Sequence, residues 1–207
     1  MPLVFIISAP SGSGKSTLVQ RLMEADENLA FSTSVTTRPP RPGEIDGSSY
    51  HFVTREQFLA MRENGELLEW AEVFDHFYGT SKTVLEQASA AHRDLLLDID
   101  VQGAAQLKEK LPEAVTIFIL PPSRQVLEER LRHRSSDPDE VIKRRLADAK
   151  REVANFASYD YVLVNDQIDA SLDRLRGVLL AERSRQKRMA PLIRPILESF
   201  EVESEHE

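Results

Sequence analysis

Gly12, Gly14, Lys15 and Ser16 fall close together in the stretch Ala9-Pro-Ser-Gly-Ser-Gly-Lys-Ser16. Glycines let a backbone wrap around phosphate oxygens and aim its N–H groups inward. A helix starting near Ser16 adds the positive end of its dipole. Lys15 offers a point charge for β- and γ-phosphates, and the Ser16 hydroxyl suits Mg2+. The general pattern G-x-x-x-x-G-K-[ST] has glycine where this chain has Ala9. That departure is mild, because Gly14-Lys-Ser-Thr17 sits where an apolar run meets a helical one, as the pattern requires. A chance glycine turn before a helix is the plain alternative. Loops of this kind serve many phosphoryl-transfer chemistries, so the loop alone names no substrate.

Asp98 and Asp100 end the apolar run Leu95-Leu-Leu-Asp-Ile-Asp100. One of them suits Mg2+ through water; turn-forming aspartates at a strand end are the alternative. Asp100-Val-Gln-Gly103 matches the D-x-x-G of GTPase switches, but no N-K-x-D motif accompanies it, which argues against a signalling GTPase.

Between residues 32 and 80 stand Ser34, Arg38, Arg41, Tyr50, Glu69, Tyr78 and Thr80. Thr36-Thr-Arg-Pro-Pro-Arg-Pro-Gly43 holds two arginines on a proline-stiffened turn. Two guanidinium forks suit a dianionic phosphate, and tyrosine hydroxyls can complete its shell. By itself the segment could equally be a surface loop.

A third group is cationic. Arg134 lies three and seven positions after Leu131 and Leu127, Arg130 lies three after Leu127, and Arg145 is four from Val141 and Ala149. All three border an apolar helical stripe. They are either snorkelling stems or charges that a mobile lid brings onto a transferring phosphoryl group, whose transition state is stabilised by position and charge.

The elements that must position these groups follow from periodicity. Leu3-Val-Phe-Ile-Ile7, Leu95–Asp100, Val115-Thr-Ile-Phe-Ile-Leu120 and Tyr161-Val-Leu-Val164 read as strands, and their lack of alternation suits parallel strands covered on both faces. Helices are expected from Ser16 to Ala25, from Ala104 to Lys110 and from Ala170 to Met189, the last as a terminal helix. Residues 32–80 are too long for a loop and read as an inserted subdomain. Inside it Thr54 and Gln57 form a capping box, Val53 and Phe58 a hydrophobic staple, and Gly65 a stop. Ser123 to Phe156 reads as a helical hairpin whose second helix starts at Asp137-Pro-Asp-Glu140, with Asp137 as N-cap.

Bulk properties set the outer limits. At 207 residues the chain suits one main domain with inserted pieces. It has no cysteine, so disulfides, thiolate metal sites and a cysteine nucleophile are excluded, and a reducing, cytoplasmic location is the expectation. A formal net charge of −8 argues against general nucleic-acid binding. The basic stretch Arg183-Ser-Arg-Gln-Lys-Arg188 reads as a solvated helix face. No apolar run reaches the roughly 18 residues of a membrane span, and Leu3–Ile7 leads straight into the glycine loop instead of a cleavage site. No membrane partner is expected. Residues 201–207 are acidic and expected to fray.

Taken together, the motifs resemble guanylate kinases of the bacterial type. The resemblance rests on Ser8–Thr17, Thr36-Thr-Arg-Pro-Pro-Arg-Pro-Gly-Glu44, Gly47-Ser-Ser-Tyr-His-Phe-Val53, Leu68-Glu-Trp-Ala-Glu72 and Tyr78-Gly-Thr80. It continues through Leu97-Asp-Ile-Asp-Val-Gln-Gly103, Ile117-Phe-Ile-Leu-Pro-Pro122 and Tyr159-Asp-Tyr-Val-Leu-Val-Asn-Asp166, in family order across nearly the whole chain. The loop is generic; the two segments around Arg38–Arg41 and Asp98–Gly103 are jointly specific.

The resemblance implies an α/β P-loop NTPase-type fold, a parallel sheet flanked by helices. It implies a core of residues 1–33, 81–122 and 157–200, a GMP-binding α+β insert at 34–80 and a helical lid at 123–156. It implies Mg2+-dependent phosphoryl transfer from ATP to GMP. ATP is expected on Ala9, Pro10, Ser11, Gly12, Ser13, Gly14, Lys15, Ser16, Thr17, Arg130, Asn165 and Asp166. GMP is expected on Ser34, Arg38, Arg41, Tyr50, Glu69, Tyr78, Thr80 and Asp98. Lys15, Arg41, Arg134 and Arg145 are the expected catalytic charges, with Ser16 and, through water, Asp100 toward the metal. The base assignment is chemically sensible: guanine presents N1–H and N2–H2 as adjacent donors that one carboxylate accepts, whereas adenine presents an acceptor there. Such a site rejects the wrong base by roughly 10^4-fold. A kinase for another nucleoside monophosphate, and an inactive scaffold module of the same fold that binds phosphopeptides, are the competing readings. Oligomeric state is not legible.

Overall fold

A computed structural model describes residues 2–73, 75–134 and 138–201. The elements run β1 Val4–Ser8, α1 Lys15–Ala25, β2 Leu29–Phe31, β3 Val35–Thr36, β4 His51–Phe52, α2 Arg55–Glu63, β5 Leu67–Val73 and β6 His76–Ser81. Then come α3 Thr83–Ala90, β7 Asp94–Asp98, α4 Val101–Lys110, β8 Val115–Leu120, α5 Arg124–Arg134 and α6 Asp139–Val153. A 3₁₀ turn at Ala154–Ser158, β9 Tyr161–Val164, α7 Ile168–Arg183 and α8 Gln186–Glu201 complete the order.

The apolar runs assemble as a five-stranded sheet in the order β2-β7-β1-β8-β9, every pair parallel. Side chains alternate between its faces. Phe5, Ile7, Ile117 and Ile119 pack with Leu18 and Leu22 of α1 and Leu175 and Leu179 of α7. Ile6, Leu95 and Leu97 pack the other way, with Ala88 of α3 and Ala104 and Leu107 of α4. Burial on both faces is why these strands read as unbroken apolar runs. The edge strand β9 departs from that expectation: Val162 and Val164 are exposed, so only part of it is covered.

The segment between β2 and α3 builds its own sheet, β4-β3-β6-β5, mixed in direction. Its core is Val35, Phe58, Leu67 and Phe77, with Val53 packed against it. The capping box forms as read: Thr54 Oγ1 accepts from the Gln57 amide at 3.2 Å, and the Gln57 side chain accepts from the Thr54 amide at 2.8 Å. Gly65, at φ 67°, ends α2 with bonds from its own amide to Arg62 O and from the Glu66 amide to Met61 O.

Helices α5 and α6 pack on each other through Leu127, Leu131, Ile142, Leu146 and Ala149. Pro138, not the first helical residue, stands at the N-cap of α6 and makes no side-chain cap bond. Asp137 lies outside the described residues. The C-terminal region also differs from the expected single helix. α7 ends at Arg183, and the chain turns through Ser184 and Arg185 into α8. The basic stretch at this turn is solvated from Ser184 to Lys187, but Arg183 is not part of that surface. Arg183 reaches back to Asp26 at 2.6 Å and Asp94 at 2.8 Å, Arg185 pairs with Glu182, and Lys187 pairs with Glu113.

Candidate active site

β1, β7 and β8 lie side by side and end at the same edge, where the chain leaves each in a different direction. Open parallel sheets bind ligands at such an edge. There the Ala9–Ser16 loop turns into α1. Gly12 and Gly14 have φ of 91° and 86°, values an L side chain rarely adopts, and Gly14 is the N-cap of α1. A cavity of about 600 Å3 opens above the loop. All eight residues Ala9 to Ser16 line it; Thr17 is the next on α1 and does not.

Lys15 forms an ion pair with Asp98 at the end of β7. Its Nζ lies 3.5 Å from the Ile99 carbonyl. Asp98 therefore faces the loop lysine, although it was assigned to the acceptor half. Asp100 caps α4: its Oδ1 accepts from the amides of Gln102 at 2.6 Å and Gly103 at 3.0 Å. Both aspartates line the cavity.

The second sheet forms the facing wall, with Ser34, Arg41, Tyr50, Glu69 and Tyr78 on the cavity. Glu69 is 3% exposed, which excludes the reading as a surface carboxylate. The Thr80 hydroxyl donates to its Oε1 at 2.6 Å. Thr80 itself is fully buried behind Glu69, not on the cavity. Burial pushes the Glu69 carboxyl up to about 7, and the charge of Asp100 adds to the push. A carboxylate at such a cost in a cavity wall is a mark of a binding site. Tyr50 and Tyr78 meet edge to face with centroids 6.0 Å apart, and burial raises the Tyr50 hydroxyl.

The two arginines of the proline turn are not equivalent. Arg41 is exposed and lines the cavity. Arg38 is buried; its fork binds Glu44 at 2.7 Å and the Pro39 carbonyl at 2.8 Å, and its guanidinium lies 5.3 Å from the Tyr50 ring centre. Glu44 also accepts from the Arg41 amide at 2.7 Å. Of the expected pair of forks, Arg41 lies on the cavity, and Arg38 lies behind it, held by Glu44 and beside Tyr50 and Tyr78. The Glu44 bond raises Arg38 and, in return, Arg38 holds the Glu44 carboxyl below its ordinary value.

On α6, Arg145 lines the cavity. Arg134 closes α5, and its side chain lies outside the described residues. Arg130 donates to Ser13 O at 3.2 Å and Asn165 O at 3.0 Å, while the Asn165 amide donates to Ser13 O at 2.8 Å. Both residues brace the phosphate loop from behind. Asp166 is exposed and accepts from the Gln167 amide and from Arg174.

The structure adds contacts for Gly12 and Gly103, both named in the motifs above, and a further group, Glu152, that the sequence reading did not single out. Gly12 abuts Leu127 and Leu131 of α5, since a β-carbon there would lie 3.0 and 2.9 Å from their methyls. Gly103 abuts Glu69 in the same way. Glu152 lines the cavity from α6; burial raises its carboxyl, while Lys15 and the Ser11 amide favour its charge. It lies seven residues after Arg145, on the same helical stripe, and that spacing was the available signal.

Mg2+ keeps several waters and takes one or two protein oxygens besides phosphates. Ser16 and Asp100 are hard oxygen donors on the cavity, and no cluster of three or more acidic or imidazole groups suited to a metal occurs among the described residues. This donor set fits an ion that arrives with a polyphosphate better than a resident one.

One cavity therefore joins a glycine-rich loop of phosphate-binding type to a buried carboxylate across the end of a parallel sheet. That arrangement on this fold is that of a P-loop nucleotide kinase. The guanylate kinase family model matches residues 2–182. The chain is 55% identical to the guanylate kinase of Koribacter versatilis, over 96% of this chain and 87% of that one. It is 47% identical to that of Alkalilimnicola ehrlichii, over 92% and 94%. The crystal structure of guanylate kinase from Anaplasma phagocytophilum superposes with a TM-score of 0.76 at 38% identity, covering 93% of each chain. The chain belongs to the guanylate kinase family, nucleoside monophosphate kinases that transfer a phosphoryl group from ATP to GMP. Among the described residues no helix is long and apolar enough to cross a membrane.

Proposed function

We propose the following division of labour for that reaction in this chain. The loop Ala9–Ser16 cradles the ATP phosphates with backbone amides and Lys15, and α1 adds its dipole. GMP lies against the second sheet. Its phosphate meets Arg41, Tyr50 and Tyr78, while Arg38 acts through Glu44 and Tyr50 to fix that wall. Its base meets the ionised Glu69, oriented by Thr80, with Ser34 beside it. The buried Glu69 on the same cavity as the phosphate loop carries this reading.

Catalysis is electrostatic. Lys15, Arg41 and Arg145 stand around the position where charge spreads over the transferring group, and the family resemblance adds Arg134 to these catalytic charges. Ser16, and Asp100 through water, would hold Mg2+, which when bound neutralises phosphate charge. Lys15 leaves Asp98 for the donor phosphates. Arg130 and Asn165 keep the loop shaped for ATP, and Asp166 stands at the adenine end. Residues 34–80 and 123–156 act as acceptor insert and lid on the remaining core, closing to exclude water. The setting is the cytoplasm.

A coupled ADP-release assay with GMP, AMP, CMP and UMP tests the acceptor. Turnover with GMP alone at high efficiency is expected. AMP turnover at a rate matching GMP would overturn the base assignment, and no turnover with any acceptor would favour a binding module.

A further inference from the structure

The α5–α6 hairpin has a second cavity, none of whose lining residues belongs to the phosphate loop. It measures about 730 Å3. Leu127 of α5 and Leu146 and Ala149 of α6 form a buried apolar floor, and Leu120, Pro121 and Val153 close its base. The mouth is cationic. Arg124, Arg132, Lys143 and Lys150 line it, and Glu128 is the one acidic residue that does. Arg132 is engaged by Glu128 at 2.9 Å and Asp139 at 2.6 Å, and Lys143 by Glu140 at 2.8 Å. Arg124 reaches Glu128 only at 3.8 Å. Lys150 has no ion pair or hydrogen bond among the described residues. A positive mouth over an apolar floor runs against the formal charge of −8 on the whole chain.

The size lies in the range of small-molecule pockets, which are apolar with a few polar groups that set orientation. The arrangement selects its ligand by chemistry. The floor offers no hydrogen-bonding side chain, so the body must be apolar. Lys150 and Arg124 at the mouth favour one anionic head over a neutral or cationic one. The two nucleotides are excluded by polarity. We propose that this cavity is a binding site for amphipathic monoanions, an aromatic or aliphatic body carrying a sulfonate, carboxylate or phosphate. Its ligand grips the faces of α5 and α6 opposite to those that carry Arg130 and Arg145. The site is thus separate from the nucleotide cavity but shares its two lid helices.

The test uses 8-anilinonaphthalene-1-sulfonate as probe on the full chain, by fluorescence titration with saturating ADP and GMP present. N-phenyl-1-naphthylamine is the neutral comparator. Ala147 is exposed at the mouth, so Ala147→Trp fills the cavity without touching the core. Saturable binding that persists with nucleotides, and is lost in Ala147→Trp, is expected. Lys150→Glu should weaken the sulfonate by about tenfold while leaving the neutral comparator unchanged, because only the head senses the reversed charge. Circular dichroism of both variants should match the parent, so that loss of binding is not loss of fold. Displacement of the probe by nucleotides, binding that survives Ala147→Trp, or equal effects of Lys150→Glu on both probes would overturn the proposal.

Discussion

The Glu69 carboxylate rests directly on Gly103: a β-carbon at position 103 would come within 2.4 Å of Glu69 Oε2 and 3.0 Å of its carboxyl carbon. One residue belongs to the second sheet, the other to a helix of the core. Their contact fixes the carboxylate proposed to read the base relative to the core that carries the glycine loop. Gly103→Ala should push the carboxylate out of position. The expected result is a rise of at least about tenfold in KM for GMP and a fall in the GMP/AMP ratio, with KM for ATP little changed. Unaltered GMP selectivity in Gly103→Ala would show that the contact does not set the base site.

Glu69 also makes GMP binding sensitive to pH. Accepting two N–H donors requires the ionised carboxylate, and burial holds its titration near 7. Affinity for GMP should therefore fall as pH drops below about 7, and Glu69→Gln should abolish that dependence along with the GMP/AMP preference. Calorimetric titration of GMP between pH 5.5 and 8.5 measures it. A flat affinity profile in the parent would remove the ionised carboxylate from recognition.

The same shift has a stability consequence of opposite sign to the usual acid effect. The folded carboxyl is raised above its unfolded value of 4.5, so the native state holds the proton more tightly. Stability is then lost as pH rises from about 4.5 to about 7, and the full penalty is present above that range. At pH 8 Glu69→Gln should stabilise the ligand-free protein by up to about 3 kcal/mol, and at pH 4 by almost nothing. Urea unfolding at the two pH values distinguishes this from a uniform effect.

Lys15→Ala should lower kcat by about 10^3-fold or more, as for loss of a principal charge at the transferring group. The ion pair with Asp98 adds a second expectation. Without Lys15, Asp98 is left facing the cavity alone, so donor affinity should fall further than loss of one contact implies. GMP affinity, measured by calorimetry, should stay within a few-fold. Turnover near the parental rate would refute the role of Lys15.

Asn165→Ala separates bracing from base reading. The Asn165 amide and Arg130 both hold Ser13 O, so the variant should loosen the loop and lower kcat with ATP and GTP as donors alike. A change in the ATP/GTP ratio with kcat preserved would instead assign Asn165 to the adenine ring.

What the sequence made legible was whatever local pattern controls. The phosphate loop, the apolar strands, and the box of Thr54 and Gln57 needed only near neighbours, and all formed. What it hid lies in contacts between distant segments. Arg38 and Arg41 look alike in a proline turn, and only the folded position of Glu44 separates the brace from the fork on the cavity. Arg183 reads as part of a solvated face because Asp26 and Asp94, which bind it, are remote in the chain. The turn at Ser184 was missed for the related reason that apolar spacing continues beyond it. Gly103 stood out only as the end of the Asp100–Gly103 motif, and nothing local showed why glycine is required there, since the requirement comes from the Glu69 carboxylate packed directly against it.

Gly12 joins two elements that lie more than a hundred residues apart. Because Leu127 and Leu131 lie against it, the glycine loop and α5 share one bearing surface. With residues 123–156 moving as the proposed lid, α5 would slide over position 12 in every cycle. A methyl group there would then be felt first in the timing of release and only afterwards in the chemical step.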